Sequence, residues 1–494
     1  MNIITFNPKY VLKPDSGCAL ILASLVGRNL LVGIEDSFTN VIHPIYAMIL
    51  CFINGRDSQK CIEDAAKALE IPQDLVAGFV NQLTDNPNRV ISKGEDGSSA
   101  FPPFTIITQK EQNICDRYTP DLFAYEEIDL RLKRHFTPSA ITLMLNNICT
   151  TNCIYCYQDK SRKVNCEIPF DRIKEIIDES VKLHVNTFDV IGGEFFLYKY
   201  WKEVLAKLRK HGYNPYLSTK MPLEESDIQY LAELKIHDIQ VSIDTFIDSH
   251  LKNSIGVNEG YARRIIKTLH MLDQYGIPVM VHSVLTRYNN SIEDMKSIYD
   301  VLKGIRNLVD WHVVKGDETL YPRTEYKNIE IEGTALKSIV NYLKTVEKEE
   351  KVKIVYPKGF VESNQNNAIS NFSTIKDNFF NRSFCSGLFS SLYILPDGQV
   401  TMCEQLYWNK NFIIGNIMES SIQEVWNSPK AKSLFYIKQE DIPSDSRCST
   451  CSDFVKCRET RQVCYREIIK KYGTTKWYYP DVKCPYTTKI IKDS

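Results

Sequence analysis

The chain has 494 residues, a formal net charge of −1 at pH 7 and a sequence pI near 6.8. A chain of this length is expected to form roughly two to four domains, and its balanced charge excludes a general attraction to nucleic acid or anionic membrane. No stretch approaches the ~18 consecutive apolar residues of a membrane span, and the N-terminus lacks the features of a signal peptide. The sequence therefore predicts a cytoplasmic protein with no nucleic-acid or membrane partner.

Residues 1–95 have the pattern of a small domain in which short strands precede helices. The strand-like runs are YVLKP, CALILAS and NLLVGI, and helical patterns then begin near Pro44, Ser58 and Pro72. This order predicts a winged-helix-like α+β module. The polar stretch GEDGSSAFPPF is predicted to be a loop, and residues 96–137 a linker.

Residues 138–350 alternate between short β runs and amphipathic helices, which favours a parallel sheet with crossover helices. Six units are predicted, with the strands AITLML, FDVIG, YLS, IQVSI, VMVHSVL and VDWHVV. They would form either a partial barrel or an open doubly wound sheet, and in both cases ligands belong at the carboxyl ends of the strands. Residues 351–379 would connect this domain to an irregular, cysteine-rich region at 380–494, where metals replace much of the core.

The cysteines carry the strongest chemical signal. The chain has 15 of them, which is many for a cytosolic protein and favours metal binding or catalysis over disulfides. Cys149, Cys153 and Cys156 form a CxxxCxxC motif just after the first predicted strand. Three thiolates hold three irons of a cubane cluster and leave the fourth iron open to another ligand. The alternatives are a zinc site, which would need a fourth ligand, and a loop of unrelated thiols.

This motif, with Tyr155 before its last cysteine, resembles that of the radical S-adenosylmethionine (SAM) enzymes. In that family the open iron chelates the amino and carboxylate groups of SAM, and the cluster cleaves SAM to a radical that abstracts hydrogen. The resemblance implies a partial (β/α)6 barrel and a set of cofactor-binding residues at the ends of the second, third and fourth strands. That set comprises Tyr155, Gly192, Gly193, Glu194, Ser218, Ser242 and Asp244.

The sequence departs from the family pattern at two places. Relatives often have Asn-Gly after the third-strand Ser-Thr, where this chain has Lys220-Met221, and an arginine after the fourth-strand Ser-x-Asp, where this chain has FIDSHLKNSIG. Lys252 is the candidate substitute for that arginine.

The C-terminal cysteines resemble those of the SPASM domain, which carries two auxiliary iron–sulfur clusters. The resemblance implies that Cys448, Cys451, Cys457 and Cys484 hold the second auxiliary cluster. Cys385, Cys403 and Cys464 would hold the first, and its fourth ligand is not apparent. A zinc ribbon is the alternative. Glu404 lies where some SPASM enzymes place an aspartate base, so it is either the catalytic base or an ordinary exposed glutamate.

The N-terminal region resembles the PqqD-like module that binds the leader segment of ribosomally made precursor peptides. Its edge strand accepts an extended peptide, and residues 17–34 are the predicted edge. A winged-helix DNA-binding domain would show a similar order of elements, but this region lacks a strongly basic helix for phosphate contacts.

Together these features predict a radical SAM peptide maturase that crosslinks a precursor peptide and takes electrons from a ferredoxin or flavodoxin. A thioether is the favoured product, since an open auxiliary iron would bind a substrate thiolate. A carbon–carbon or cyclophane crosslink would also suit this chemistry. Three different functions are open as well: a protein serine or cysteine oxidase of the sulfatase-maturating type, an iron–sulfur protein without turnover, and a zinc-bearing regulator.

Overall fold

The computed structural model of the chain describes residues 2–23, 39–159, 167–237, 239–322, 325–349, 351–356, 372–382, 385–458 and 463–487. The chain divides into two compact units. The first is Met1–Ser139 with Lys182–Thr187, and the second is Ala140–Val181 with Phe188–Ser494. Within the described ranges, no helix has both the length and the apolar character needed to cross a membrane.

The first unit contains eight described strands and three helices. The strands are β1 (Ile3–Phe6), β2 (Tyr10–Asp15), β3 (Cys18–Ala23), β4 (Thr39–Ile42), β5 (Asn54–Asp57), β6 (Val90–Gly94), β7 (Gly97–Phe101) and β8 (Ile106–Gln109). The helices are α1 (Pro44–Cys51), α2 (Ser58–Leu69) and α3 (Gln73–Leu83). The strands form sheets in the orders β5-β1-β8 and β2-β3-β4, and β6 pairs with β7. The three helices begin near Pro44, Ser58 and Pro72, as the sequence predicts. Each helix contributes buried apolar side chains, such as Ala47, Ala65 and Val76, to one core.

The structure corrects the predicted end of this module. The stretch predicted to be a loop forms the β6–β7 hairpin, and β8 pairs antiparallel with β1. Residues 96–137 are therefore part of the first unit and do not form a separate linker. The misleading signal was the Gly, Ser and Pro content of residues 94–104, which also suits a tight hairpin.

The prediction that residues 17–34 form a peptide-accepting edge is wrong for β3. β3 is the central strand of its sheet, paired with β2 on one side and β4 on the other, so its backbone groups are already used. The edges of this sheet are β2 and β4. The rest of the predicted edge, including NLLVGI, lies outside the described residues.

The second unit contains ten described strands and twelve helices. The strands are β9 (Ala140–Met144), β10 (Thr187–Ile191), β11 (Leu217–Thr219), β12 (Ile239–Ser242), β13 (Val279–Leu285), β14 (Leu308–Lys315), β15 (Ile354–Val355), β16 (Ser391–Ile394), β17 (Gln399–Thr401) and β18 (Ile413–Asn416). The helices are α4 (Phe170–Lys182), α5 (Trp201–Lys210), α6 (Glu225–Glu233), α7 (Asp248–Ile255), α8 (Tyr261–Gln274), α9 (Ile292–Leu302), α10 (Gly333–Glu347), α11 (Phe372–Phe380), α12 (Ile422–Trp426), α13 (Pro429–Phe435), α14 (Phe454–Arg458) and α15 (Tyr465–Tyr472).

The six predicted strand–helix units are all present, and their order identifies a partial barrel. β11, β12, β13 and β14 are parallel neighbours in chain order, whereas a doubly wound sheet reverses its order partway. β9 and β10 belong to a second sheet. The Asp189 carboxylate of β10 accepts a hydrogen bond from Tyr216 N, next to β11, at 2.9 Å. The predicted partial (β/α)6 barrel is thus confirmed.

The C-terminal region is attached to the barrel by backbone pairing. β16 lies parallel to β9, and β17 and β18 extend the same sheet. Arg172 of α4 donates to the carbonyls of Ile417 at 2.9 Å and Ser420 at 3.2 Å. Residues of the cysteine-rich region therefore reach the strands that carry the CxxxCxxC loop.

Candidate active site

The loops after β9 and β10 pack backbone against backbone, and this contact requires glycine. Gly193 N donates to Asn146 O at 2.9 Å, and Glu194 N donates to Ile148 O at 2.6 Å. A Cβ atom at Gly193 would lie 2.1 Å from Ile148 O. At Gly192 it would lie 3.1 Å from the Asn146 side chain. Both glycines thus let the two strand ends approach, as the GGE motif implies.

In the CxxxCxxC loop, the first two thiols lie close to the same hydroxyl group. The Thr151 hydroxyl lies 3.3 Å from Cys149 Sγ and 3.4 Å from Cys153 Sγ. Cys156 N donates to Cys153 O at 3.3 Å, which closes a turn between the second and third cysteines. Burial raises the pKa of the Cys153 thiol. Three thiols on one short loop beside a glycine-lined strand end fit the ligand set of a cubane cluster with one open iron.

Glu194 is a buried carboxylate that several donors hold in place. It is 2% exposed and accepts hydrogen bonds from Thr219 Oγ1 at 2.9 Å, Lys220 N at 3.2 Å and Phe196 N at 3.4 Å. Burial raises the pKa of Glu194 to about 7, and the hydrogen bonds from Thr219 and Lys220 oppose that rise.

Asp244 lies at the centre of a buried polar cluster. Its carboxylate accepts from the Tyr155 hydroxyl, from Lys220 Nζ at 3.1 Å and from Val284 N at 3.0 Å. The sequence-based choice of Lys252 as the nearby cation is not supported, because that residue is exposed on α7. Lys220, which directly follows β11, is the cation in this cluster.

The two predicted serines share a bridging residue. Gln240 Nε2 lies 3.0 Å from Ser218 Oγ and 3.0 Å from Ser242 Oγ, and its carbonyl accepts from the Tyr216 hydroxyl. Gln240 and Ser242 both lie on β12, and Ser218 is its neighbour in β11. The serines are therefore held together at one stretch of the sheet.

Four of the C-terminal cysteines line one cavity. Cys448, Cys451, Cys457 and Cys484 surround it together with aromatic side chains such as Phe380. The space free of protein atoms between these side chains, counted with its opening to solvent, is about 360 Å³. Burial raises the pKa of Cys457, and raises that of Cys484 to about 11. Four thiols facing one enclosed space fit a fully ligated cluster.

The other three C-terminal cysteines form a second set. Burial raises the pKa of Cys403 to about 12, and the charges of Cys385, Glu404 and Cys464 contribute to that rise. Cys464 likewise contributes to the raised pKa of Cys385, after burial. A Cβ atom at Gly387 would lie 3.5 Å from Cys385 Sγ and 2.7 Å from Met402 O, so Cys385 lies near the residue that precedes Cys403. This set fits one further cluster.

The Glu404 side chain packs against residues of β9, β10 and β16, so it is not an ordinary exposed glutamate. It packs around a narrow gap together with Met144, Ile191, Tyr393 and Tyr407. Burial raises the pKa of Glu404, with a smaller contribution from the charge of Asp189. Tyr407 is fully buried, and its hydroxyl has no hydrogen-bond partner in the described part of the chain.

Sequence reasoning missed four residues that organise the site. Asn146 donates to Glu194 O at 3.0 Å, and Gln158 donates to Gly192 O at 2.5 Å. Gln240 and Lys220 are the other two. Their position in the sequence is the one signal that could have identified them. Each lies on β12 or within a few residues after β9, the cysteine motif or β11.

Among the described residues, no three Cys, His, Asp or Glu side chains converge on a point where a single ion would be bound.

Two family models match the chain. Residues 143–302 match the Radical SAM superfamily, and residues 385–452 match the SPASM iron–sulfur cluster-binding domain. The first covers the CxxxCxxC loop and strands β10 to β13, and the second begins at Cys385 and includes Cys451.

Similar proteins have been named in Bacillus subtilis (strain 168). The antilisterial bacteriocin subtilosin biosynthesis protein AlbA is 24% identical over 329 residues, which are 64% of this chain and 67% of AlbA. The sporulation killing factor maturation protein SkfB is 22% identical over 294 residues, 59% of this chain and 65% of SkfB. The aligned part thus spans about two thirds of each relative.

A crystal structure of Streptococcus suis SuiB bound to precursor peptide SuiA has the same fold. It superposes with a TM-score of 0.64 at 15% identity and covers 98% of this chain and 100% of that one. SuiB bound to S-adenosylmethionine gives a TM-score of 0.62 at 14% identity, covering 97% of this chain and 99% of that one. The chain thus contains a radical SAM enzyme domain followed by a SPASM domain, and the cofactors of these domains are a [4Fe–4S] cluster, S-adenosylmethionine and auxiliary iron–sulfur clusters.

Proposed function

We propose that this enzyme installs thioether crosslinks in a ribosomally synthesised precursor peptide. One observation carries the choice of product. The charges of Cys385, Cys464 and Glu404 all act on Cys403, whereas the four remaining C-terminal cysteines line a separate cavity. Among the described cysteines, the first set therefore has three members and the second has four. A three-thiol set suits a site that also takes a thiolate from the substrate.

The comparisons support a peptide as the substrate. AlbA is named for biosynthesis of the bacteriocin subtilosin, SkfB for maturation of a killing factor, and SuiB has been crystallised with a precursor peptide. The first two support the substrate class through sequence similarity. The third supports only the fold, because its identity to this chain is 15%.

The barrel residues would have distinct roles. Cys149, Cys153 and Cys156 would hold the [4Fe–4S] cluster, and the Glu194 carboxylate would accept from the SAM ammonium group. Ser218, Ser242 and Asp244, at the ends of β11 and β12, would contact the carboxylate or ribose. With its cluster and SAM bound, the site supplies one-electron chemistry that removes a hydrogen atom from the peptide.

The C-terminal residues would complete the reaction. Forming one C–S bond removes a hydrogen from carbon and a hydrogen from sulfur, so the peptide loses two hydrogens per link. The carbon hydrogen leaves with the 5′-deoxyadenosyl group of SAM. The sulfur hydrogen would leave as a proton, for which Glu404 would be the acceptor, and an oxidised auxiliary cluster held by the C-terminal cysteines would supply the one-electron oxidation.

The first unit would bind the leader segment of the peptide. Since β3 is paired on both sides, an extended leader would pair with β2 or β4, the edges of the same sheet. A ferredoxin or flavodoxin would supply the low-potential electron. A precursor without its leader is then expected to be modified poorly, with KM raised more than kcat is lowered.

The test uses the full chain with reconstituted clusters, SAM, a reductant and a cysteine-rich precursor encoded beside it, under anaerobic conditions. The expected product is lighter by two hydrogens per link and has lost one alkylatable thiol for each. A matched peptide with every cysteine replaced by serine should keep its mass. Loss of two hydrogens with all thiols still alkylatable would identify a carbon–carbon crosslink, and an unchanged mass would contradict crosslinking altogether.

A further inference from the structure

Lys220 places its ammonium group at the carboxyl ends of the barrel strands. Its Nζ atom lies 3.1 Å from Asp244 Oδ2 and 5.5 Å from the centre of the Tyr155 ring. Tyr155 belongs to the CxxxCxxC motif itself, between its second and third cysteines. The Lys220 side chain is 13% exposed, and that of Asp244 is 0% exposed. The charge is therefore held against the cysteine loop in a largely dry site.

The backbone of Lys220 is fixed on both sides. Its N–H donates to Glu194 Oε2 at 3.2 Å, and its carbonyl accepts from the Tyr261 hydroxyl. The side chain thus starts from an anchored position and ends in a buried ion pair. The ammonium group of a lysine held in this way stays in one position and does not move through solvent.

The ammonium lies beside the loop that carries the cluster ligands. The Tyr155 hydroxyl donates to the same Asp244 carboxylate that pairs with Lys220, and Tyr155 directly precedes Cys156. An ion pair with a buried carboxylate favours the protonated form of a lysine.

The titratable groups that face Lys220 include Asp244, Glu194 and His282. Asp244 is the paired anion, and Glu194 lies on the backbone side with a pKa of about 7. Burial and the charge of Lys220 lower the pKa of His282, the next titratable group, to about 4, so that ring is neutral at pH 7. Asp244 also shares its carboxylate with Tyr155 and Val284 N.

We propose that Lys220 is a positioning residue that makes the cluster on Cys149, Cys153 and Cys156 easier to reduce. Reduction adds one electron, and hence one negative charge, from the low-potential donor. No bond forms or breaks, and Lys220 stays protonated throughout. In a site of low dielectric, a fixed ammonium group favours that added charge and raises the midpoint potential. Lys220 would have this effect whatever substrate the enzyme takes.

The test is a redox titration of the full, reconstituted chain, followed by electron paramagnetic resonance. The radical SAM cluster is identified as the signal that changes when SAM is added, and the auxiliary clusters serve as internal references. Lys220→Met should shift the midpoint of that signal to lower potential, while Lys220→Arg should stay near the parent. Lys252→Met, which removes an exposed lysine on α7, is the matched control and should shift nothing.

A second variant predicts the opposite sign. Asp244→Asn removes the anion beside the same ammonium group and should shift the midpoint to higher potential. This variant also provides the test if Lys220→Met fails to take up iron. An unchanged midpoint in the Lys220 and Asp244 variants that hold the cluster would overturn the proposal, even if their affinity for SAM fell. Equal shifts in the auxiliary signals would overturn it as well, because the effect would not be local.

Discussion

The two best-defined cysteine sites of the second unit are built on different supports. Cys149, Cys153 and Cys156 follow β9, whose neighbours β10 and β16 are held by backbone pairing and a buried core. The cavity of Cys448, Cys451, Cys457 and Cys484 is instead surrounded by 3₁₀ turns, the five-residue helix α14 and aromatic side chains. The first site would keep its shape without a cluster. The second site contains little regular structure that would preserve its shape.

This difference indicates which clusters serve chemistry alone and which also serve folding. A metal that is bound only by the folded state contributes its binding energy to folding. Where a sheet already positions the ligands, that contribution is small beside the core. Where turns position them, it is a main source of local stability.

The largest expected effect is on activity at the sheet-supported site. Replacing Cys149, Cys153 and Cys156 together by alanine should abolish SAM cleavage, since no ligand of the radical cluster remains. Thermal unfolding should change little, and bound iron should fall by about a third if three cubane clusters are present. The measurements are 5′-deoxyadenosine release, iron content and the unfolding temperature. A large fall in that temperature would contradict the contrast between the two sites.

The second effect is on the local stability of the turn-supported site. Cys451→Ala should expose residues 439–487 to proteolysis and hydrogen exchange, because the cluster that links these turns loses a ligand. Cys61→Ala, which alters a buried thiol of α2, is the matched control and should leave this region protected. Unchanged exchange in residues 439–487 of Cys451→Ala would show that the turns hold without their cluster.

A third prediction tests how closely the sheet-supported site is packed. Gly193→Ala places a Cβ atom 2.1 Å from Ile148 O. The β9 and β10 loops must then separate, and SAM affinity should fall at least tenfold, or ~1.4 kcal/mol. Gly78→Ala, in α3 where no atom lies within 4 Å, is the control. It should leave affinity unchanged and stabilise its helix by about 0.5–1 kcal/mol. Equilibrium dialysis and thermal unfolding provide the measurements.

The same contrast explains how much could be predicted from the sequence. The six barrel strands were found because buried parallel strands leave clear apolar runs, and the cysteine motif follows one of them at fixed spacing. Lys220 and Gln240 were missed because their importance depends on which strands become neighbours. The pairing of β16 with β9 was missed for the same reason, since the two strands are about 250 residues apart in the chain.

The first unit shows a different limit. Residues 94–104 contain Gly, Ser and Pro, which suit both a loop and a tight hairpin, and only the pairing of β6 with β7 distinguishes the two. Likewise, β3 has the composition of either an edge or a central strand. Its two neighbours, which the local pattern does not reveal, decide that it is central.

A fourth, smaller effect concerns the pH dependence of SAM binding. The pKa of Glu194 is about 7, so the carboxylate is increasingly neutral as pH falls below 7. Its interaction with the SAM ammonium group should weaken by up to about tenfold per pH unit there and level off above pH 8. Glu194→Gln should bind SAM weakly and without this dependence. Glu225→Gln, an exposed residue on α6, should retain the parent profile in dialysis measurements from pH 5.5 to 8.5.

The smallest expected effect compares two capping boxes, one in each region. Ser291 caps α9 with Asp294, which is fully buried and also bonds to His250 at 2.7 Å. Ser421 caps α12 with Glu424, which is exposed to solvent. Ser291→Ala should cost about 1–2 kcal/mol, because a buried carboxylate loses a donor that water cannot replace.

Ser421→Ala should cost less, since water can take the place of the lost hydroxyl. Hydrogen exchange of the α9 and α12 amides measures each loss separately. Because each variant removes one hydroxyl from the same motif, any difference reflects the surroundings of the cap. An equal or larger loss at α12 would mean that water does not replace the lost hydroxyl at the exposed cap. This part of the C-terminal region would then depend on its local hydrogen bonds as much as the barrel does.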